Sequence, residues 1–211
     1  MSETVLYDYW RSSASFRVRI ALNMLAETFR LAPVNMLADE HRSQEHLARN
    51  PQGLLPVLEI DGHMFTQSLA IIEYLDETRG GAFLPGNSIG RQRVRALSYA
   101  IAMDIHPICN SHVGAHVVAI TGGGEEARVA WIQKFLGQGL AAFEELLKAP
   151  ETGRFCHGDR PTMADICLVP QVYNARRWGA DLSACSRLVE IAERCTELQP
   201  FSLAHPDNVH L

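Results

Sequence analysis

Residues 10–22 read WRSSASFRVRIAL: three serines and an alanine, then arginines interleaved with Val18, Ile20 and the pair Ala21–Leu22. The preceding TVLYDYW (4–10) is a short β-rich run. From Val18 onward, Val18, Ala21, Leu22 and Leu25 recur at i, i+3, i+4 and i+7, the apolar face of a helix. A strand therefore turns into a helix at Ser12, Ser13 and Ser15. Serine at such a junction serves as an N-cap worth about 1 kcal/mol. It also suits an anion, because a helix N-terminus offers unpaired N–H groups and partial positive charge. No glycine-rich phosphate loop precedes the helix, and no GxSxG pattern makes a serine its own nucleophile. The stretch has no cysteine, which raises the question of what supplies a nucleophile if a reaction takes place here.

Outward from this junction the first 80 residues alternate. FRLAPVNM (29–36) is a second strand, demoted to a sheet edge by Pro33. A polar segment from Asp39 to Arg49 contains a short helix, and LLPVLEIDGHMFTQ gives two strands joined at Asp61-Gly62, a pair that suits a two-residue hairpin turn. SLAIIEYLDETR begins at Ser68, which reads as its N-cap. The predicted order is β-α-β-α-β-β-α. GGAFLPGNSIG (80–90), with four glycines and a proline, marks a linker. Beyond it strand signals nearly vanish. Long helices are expected over 91–118 and 125–148, another follows the capping box Thr162-x-x-Asp165, and a last one spans 184–197. The expected division is an α/β domain over 1–80, a linker over 81–90 and an all-α domain over 91–211.

The chain of 211 residues is 47% hydrophobic and 20% charged, an ordinary globular composition. Its net charge of −5, with both signs mixed, argues against nucleic acid or an anionic membrane as partner. MSETVLYDYW has acids where a signal peptide has basic residues, and no apolar run approaches the ~18 residues of a membrane span. Cys109, Cys156, Cys167, Cys185 and Cys195 are odd in number and lack CxxC spacing, a reduced, cytoplasmic inventory. No cysteine pair occupies the first helix, which excludes thioredoxin-type redox chemistry. His112 and His116 share a helix face at i, i+4 but lack the glutamate of HExxH and a third ligand, so no metal is expected.

Arg11 to Leu22 resembles the SSCxxRVRIAL signature of zeta-class glutathione transferases, the maleylacetoacetate isomerases. Asn50-Pro51 with Leu55-Pro56, the run Gln67–Leu75, Thr162-Met163-Ala164-Asp165 and LVPQVYNARR (168–177) extend the resemblance over essentially the whole chain. Xaa-Pro, Gln-Ser and the capping aspartate are generic to glutathione transferases; RVRIAL together with LVPQVxNAxR is far more specific. The resemblance implies a thioredoxin-like N-terminal domain, a helical C-terminal domain, glutathione as cofactor and a homodimer. Ala14 stands where the family has its cysteine, so the thiol comes from bound glutathione, held by the hydroxyl of Ser12 or of its rival Ser13.

Further roles follow from the same resemblance. The Leu55 backbone pairs with the cysteinyl unit, Gln67 and Ser68 bind the γ-glutamyl carboxylate, and His41 reaches the glycyl end. His106, Asn110 and Ser111 align with family contacts to glutathione. Arg11, His112 and Arg176, with Arg177 as a further candidate, face the carboxylates of a maleyl substrate; relatives such as the maleylpyruvate isomerases place arginine where His112 stands. The implied activity is isomerisation of maleylacetoacetate, with maleylpyruvate as the second substrate. A broader transferase that conjugates or dehalogenates small electrophiles, and a non-catalytic glutathione-binding module, are the competing readings.

Overall fold

A computed structural model describes residues 3–209; residues 1, 2, 210 and 211, at the outer ends of the expected 1–80 and 91–211 ranges, lie outside the described residues. The chain forms two compact units: residues up to Phe83 with those from Glu197 onward, and Leu84–Thr196.

In the first unit, β1 (Val5–Asp8), β2 (Arg30–Pro33), β3 (Val57–Ile60) and β4 (His63–Thr66) form one sheet in the order β2-β1-β3-β4. β2 lies parallel to β1 at the edge, the place that Pro33 predicts. β3 and β4 run antiparallel around Asp61 (φ 54°) and Gly62 (φ 77°), both left-handed as the two-residue turn demands. The helices are α1 (Ser13–Met24), α2 (Gln44–Arg49) and α3 (Ser68–Arg79). α1 buries Phe16, Val18, Ile20, Ala21 and Leu22, and with them Arg17 and Arg19, each only 1% exposed. A buried guanidinium is tolerated only when paired; Arg19 meets Asp8 at 2.6 Å.

The hairpin turn is clasped from α3. Tyr74 donates its hydroxyl to Asp61 at 2.5 Å, and Arg79 joins Asp61 (2.7 Å) to Glu27 (3.1 Å). These bonds, from Arg79 first and then Tyr74, pull the Asp61 carboxyl down to about 2 from 3.8. A lowered folded-state pKa stabilises above the ordinary carboxylate range, and the contribution is lost as pH falls through about 2. In Tyr74→Phe, the Asp61 midpoint followed by carboxyl NMR is expected to move up towards 3.8; an unmoved midpoint refutes the clasp.

The second unit is helical: α4 (Ser88–Tyr99), α5 (Ser111–Thr121), α6 (Gly124–Leu146), α7 (Met163–Arg177) and α8 (Ser186–Thr196). The single helix expected over 91–118 is broken. α4 widens into a π-type turn, Ala100–Ile105, where His106 N–H donates to Ile101 O at 2.9 Å. Pro107 follows, and Asn110 caps α5 by accepting from Ser111 N–H at 2.7 Å. The apolar period ran through the interruption because α4 and α5 each present an apolar face. Gly139 of α6 is required here: a Cβ would stand 2.4 Å from Ile105 Cγ1. α4 also starts inside the expected linker, since Asn87 accepts from Gly90 N–H and caps it.

The capping box forms as read. The fully buried Asp165 carboxylate accepts from Thr162 N–H (2.8 Å), Thr162 Oγ1 (2.9 Å) and, across the preceding loop, Cys156 N–H (2.8 Å). α8 is capped from a distance: Glu144 of α6 accepts from the backbone N–H of Arg187 (2.9 Å) and Leu188 (2.8 Å). All five cysteines are buried and none is in a disulfide.

Two short helices follow α8, α9 (Gln199–Ala204) and α10 (Pro206–Val209), and they belong to the first unit rather than to the all-α range in which sequence placed them. Six and four residues are too few to show a helical period. α9 packs on α1 with Phe201 1% exposed and Ala204 fully buried. Asn23 Nδ2 donates to Pro200 O (3.1 Å), Arg19 Nε to Ala204 O (3.0 Å), and His205 meets Phe16 edge-on at 5.9 Å.

Candidate functional site

The sheet register gathers the candidates of the first unit at one end. Tyr7 pairs with Val57, and Val57 with Thr66. The end of β1 leading to Ser12, the start of β3 after Leu55-Pro56 and the end of β4 leading to Gln67 therefore share one end of the sheet. Asp8 pairs with Pro33, so the segment towards His41 departs from that end as well. A Cβ on Gly53 would lie 3.2 Å from His41 O, which places His41 against the 50–55 loop.

Ser12 is the N-cap of α1. Its N–H donates to Tyr9 O at 2.8 Å, and its Oγ accepts from Ser15 N–H at 3.2 Å. A hydroxyl oxygen that accepts a backbone bond keeps its own proton to donate. Ser12 is half-buried, whereas Ser13, the first helical residue, is only 7% exposed. Arg11 stacks over Trp10 at 4.7 Å and donates to Tyr9 Oη at 2.9 Å, so an aromatic pair fixes its guanidinium.

Leu55 precedes Pro56 through a cis peptide bond. Among the described residues its N–H and C=O take no hydrogen-bond partner. The loop before it is rigid: His46 Nε2 and Asn50 Nδ2 both hold Leu54 O, at 3.1 and 2.9 Å. The N-cap of α3 is Gln67 rather than Ser68. Its φ of 68° is left-handed, a strained conformation for a residue with a Cβ, and its side chain makes no cap bond. It donates instead to Gln52 Oε1 at 2.9 Å. Behind the helix start, buried Arg17 Nη1 reaches Ser68 Oγ at 3.3 Å. His41 has a buried Nδ1 without a partner among the described residues; burial, then the neighbouring Arg42, holds its pKa below the ordinary value.

These features fit a γ-glutamyl-cysteinyl-glycine. A carboxylate suits the uncapped first turn of α3 with Arg17 at its back. An extended peptide unit suits the open backbone of Leu55, and sulfur suits the Ser12 hydroxyl. Sequence reasoning missed Arg17 and Gln52. Arg17 lies in a run that reads as an amphipathic helix, where an arginine is ordinarily solvated, and Gln52 bears no periodic signal.

In the second unit His106 follows the π-type turn and Asn110, Ser111 and His112 open α5. Trp131 Nε1 of α6 donates to Ile108 O at 3.0 Å and pins this segment. His112 and His116 are both exposed. Arg176, at the end of α7, is ion-paired with Glu193 of α8 at 2.7 Å, and Arg177 is held by Asn174 (3.1 Å) and stacked on Trp178. A cavity of about 410 Å³ is lined by Ser88, Arg91, Gln92, Arg95, Ala96 and Tyr99 of α4, none of them singled out by sequence.

Among the described residues no helix is long and apolar enough to cross a membrane. Residues 2–77 match the family model of the glutathione S-transferase N-terminal domain, and residues 129–200 that of its C-terminal domain. The chain is 68% identical to a maleylacetoacetate isomerase of Rhizobium meliloti, over 98% of this chain and 97% of the relative. Among solved structures, it superposes with a TM-score of 0.94 on a holo maleylpyruvate isomerase, a bacterial zeta-class glutathione S-transferase, at 39% identity over 97% of both chains. The same score relates it to a maleylacetoacetate isomerase of Methylobacterium extorquens solved with bound malonate and glutathione, at 35% identity over 98% of both. With similarity along nearly its whole length, the chain belongs to the glutathione S-transferase family and, within it, to the zeta class of maleylacetoacetate isomerases.

Proposed function

We propose that this protein is a glutathione-dependent cis–trans isomerase that converts maleylacetoacetate to fumarylacetoacetate in aromatic amino-acid breakdown, acting as a cytoplasmic homodimer. The observation that carries the reading is the Ser12 hydroxyl. It caps the start of α1, retains a proton to donate, and lies at the same end of the sheet as Leu55 and Gln67. When bound, glutathione supplies the thiol that adds to the conjugated cis double bond and is expelled after the single bond so formed has rotated.

The chain's own contribution is to keep that sulfur ionised and to hold both ligands. A thiol of pKa about 8.5 is only a few per cent ionised at pH 7, and lowering it by ~2 units requires about 2.7 kcal/mol. A hydrogen bond to a charged acceptor supplies roughly 1.5–3 kcal/mol and a helix N-terminus about 0.3–2. Ser12 and α1 together suffice without a charged base; Ser13, more deeply buried, is the rival donor. Within the first unit, Leu55, Gln67, Ser68 and His41 bind the tripeptide. Arg11, in the same unit, takes a substrate carboxylate.

Maleylpyruvate is the second reading, favoured by the close superposition on a maleylpyruvate isomerase. The ultraviolet absorbance change of maleylacetone, followed with substoichiometric glutathione, tests the class of reaction. The expected result is many turnovers per glutathione with the thiol fully recovered. Stoichiometric loss of thiol replaces the isomerase by a conjugating transferase, and normal glutathione binding with no turnover leaves a binding module.

A further inference from the structure

Arg19 lies in the second turn of α1, 1% exposed, and its guanidinium reaches three separate pieces of the first unit. Nη1 donates to Asp8 Oδ1 at 2.6 Å, at the end of β1. Nη2 donates to Trp10 O at 2.9 Å, in the turn between β1 and α1. Nε donates to Ala204 O at 3.0 Å, at the end of α9. Trp10 is two residues before Ser12, and the same turn is closed on its other side by Ser12 N–H on Tyr9 O at 2.8 Å. The path of the backbone into Ser12 is thus fixed by two bonds, one of which comes from a side chain that α9 also holds. α9 is tied down in turn by Asn23 Nδ2 on Pro200 O at 3.1 Å and by the burial of Phe201.

We propose that Arg19 is a positioning residue for the Ser12 hydroxyl, and that α9, through its carbonyl at Ala204, is the outer support of that arrangement. The inference rests on Ser12 holding the sulfur of glutathione. Burying a guanidinium carries a desolvation cost that a structural role alone could avoid with an apolar side chain of similar volume. The planar fork of arginine, with donors pointing in fixed and different directions, orients three acceptors at once. A lysine ammonium keeps the charge opposite Asp8 and cannot reproduce that geometry. Misplacement of a reacting or holding group by about 1 Å costs on the order of 10²-fold, so a small shift of the Trp10–Ser12 turn is felt in the rate.

The test compares wild type with Arg19→Lys and Asn23→Ala. Readouts are the absorbance of bound glutathione thiolate as a function of pH, the pH profile of kcat, the KM for glutathione and thermal unfolding. Arg19→Lys is expected to lower kcat by about tenfold or more, with glutathione KM changed only a few-fold. The thiol midpoint is expected to move up by about one unit. Asn23→Ala, which leaves the buried charges intact and loosens only α9, is expected to move the midpoint the same way by a smaller amount. If Arg19→Lys folds with a lowered melting temperature and an unmoved thiol midpoint, the residue is structural only and the proposal fails. If Arg19→Lys does not fold, Asn23→Ala decides: hydrogen exchange showing a loosened α9 with no change in midpoint overturns the role of the tail and with it the proposal. A wild type that binds glutathione and titrates its thiol yet isomerises nothing refutes the isomerase reading separately, because the midpoint comparison needs no second substrate.

Discussion

Ser12→Ala is expected to abolish most of the isomerase activity, with kcat falling about 10²-fold or more, the cost of removing one donor aimed at a developing or resident anion. The thiol of bound glutathione should return towards its solution pKa of about 8.5, leaving a few per cent ionised at pH 7. Glutathione KM should change far less, because in the proposed binding mode Leu55, Gln67 and Ser68 carry the contacts to the rest of the tripeptide. The variant also loses the cap on Ser15 N–H, worth about 1 kcal/mol, so unfolding must be measured alongside the rate. Ser12→Thr restores both the cap and the hydroxyl and should recover much of the loss. If Ser13→Ala shows the large effect and Ser12→Ala only the small loss of stability, the sulfur is held one residue further on.

Asp165→Ala is expected to give the largest loss of stability of any single substitution considered. The carboxylate accepts three hydrogen bonds of 2.8–2.9 Å in a fully buried setting. Its removal strands the N–H groups of Cys156 and Thr162, each costing about 1–3 kcal/mol. A total of about 3–5 kcal/mol is roughly a fifth or more of the stability of a typical domain. At about 2–4 °C per kcal/mol, the melting temperature should fall by roughly 10 °C or the chain should fail to accumulate. Asp165→Asn, which keeps one acceptor oxygen, should fall between. Glutathione binding by whatever folds should be unaltered, since the loop and α7 carry their bonds within the second unit. A drop of less than about 2 °C refutes the account.

What could be read in the sequence follows what is local. Asp61-Gly62 names its own turn, since only residues tolerant of positive φ suit both of its positions. Pro33 announces an edge strand because it lacks a donor, and Thr162-x-x-Asp165 carries both halves of its cap within four residues. The Ser12 junction was legible for the same reason: strand, serine and helix face are adjacent in the chain. What escaped depends on partners far away. Arg17 looks like a solvated arginine until Ser68 is seen 51 residues on, and Gln67 looks like the residue before a serine cap until its own backbone is found to be left-handed. The π-type turn at Ala100–Ile105 was invisible because apolar periodicity continued across it, with no glycine or proline until Pro107. The start of α8 is set by Glu144, 43 residues earlier, which no local signal could report.

The bond from Arg19 to Ala204 spans 185 positions of the chain. Synthesis runs from the N-terminus, so the sheet and α1 leave the ribosome long before α9 exists. Until then the acceptor of Arg19 Nε is missing and the face of α1 that Phe201 and Ala204 will cover is bare. The helical unit, Leu84–Thr196, is translated entirely within that interval. The first unit is thus begun first and completed last. An early chain terminator placed after Thr196 would spare every residue of the helical unit and still leave the other one unfinished.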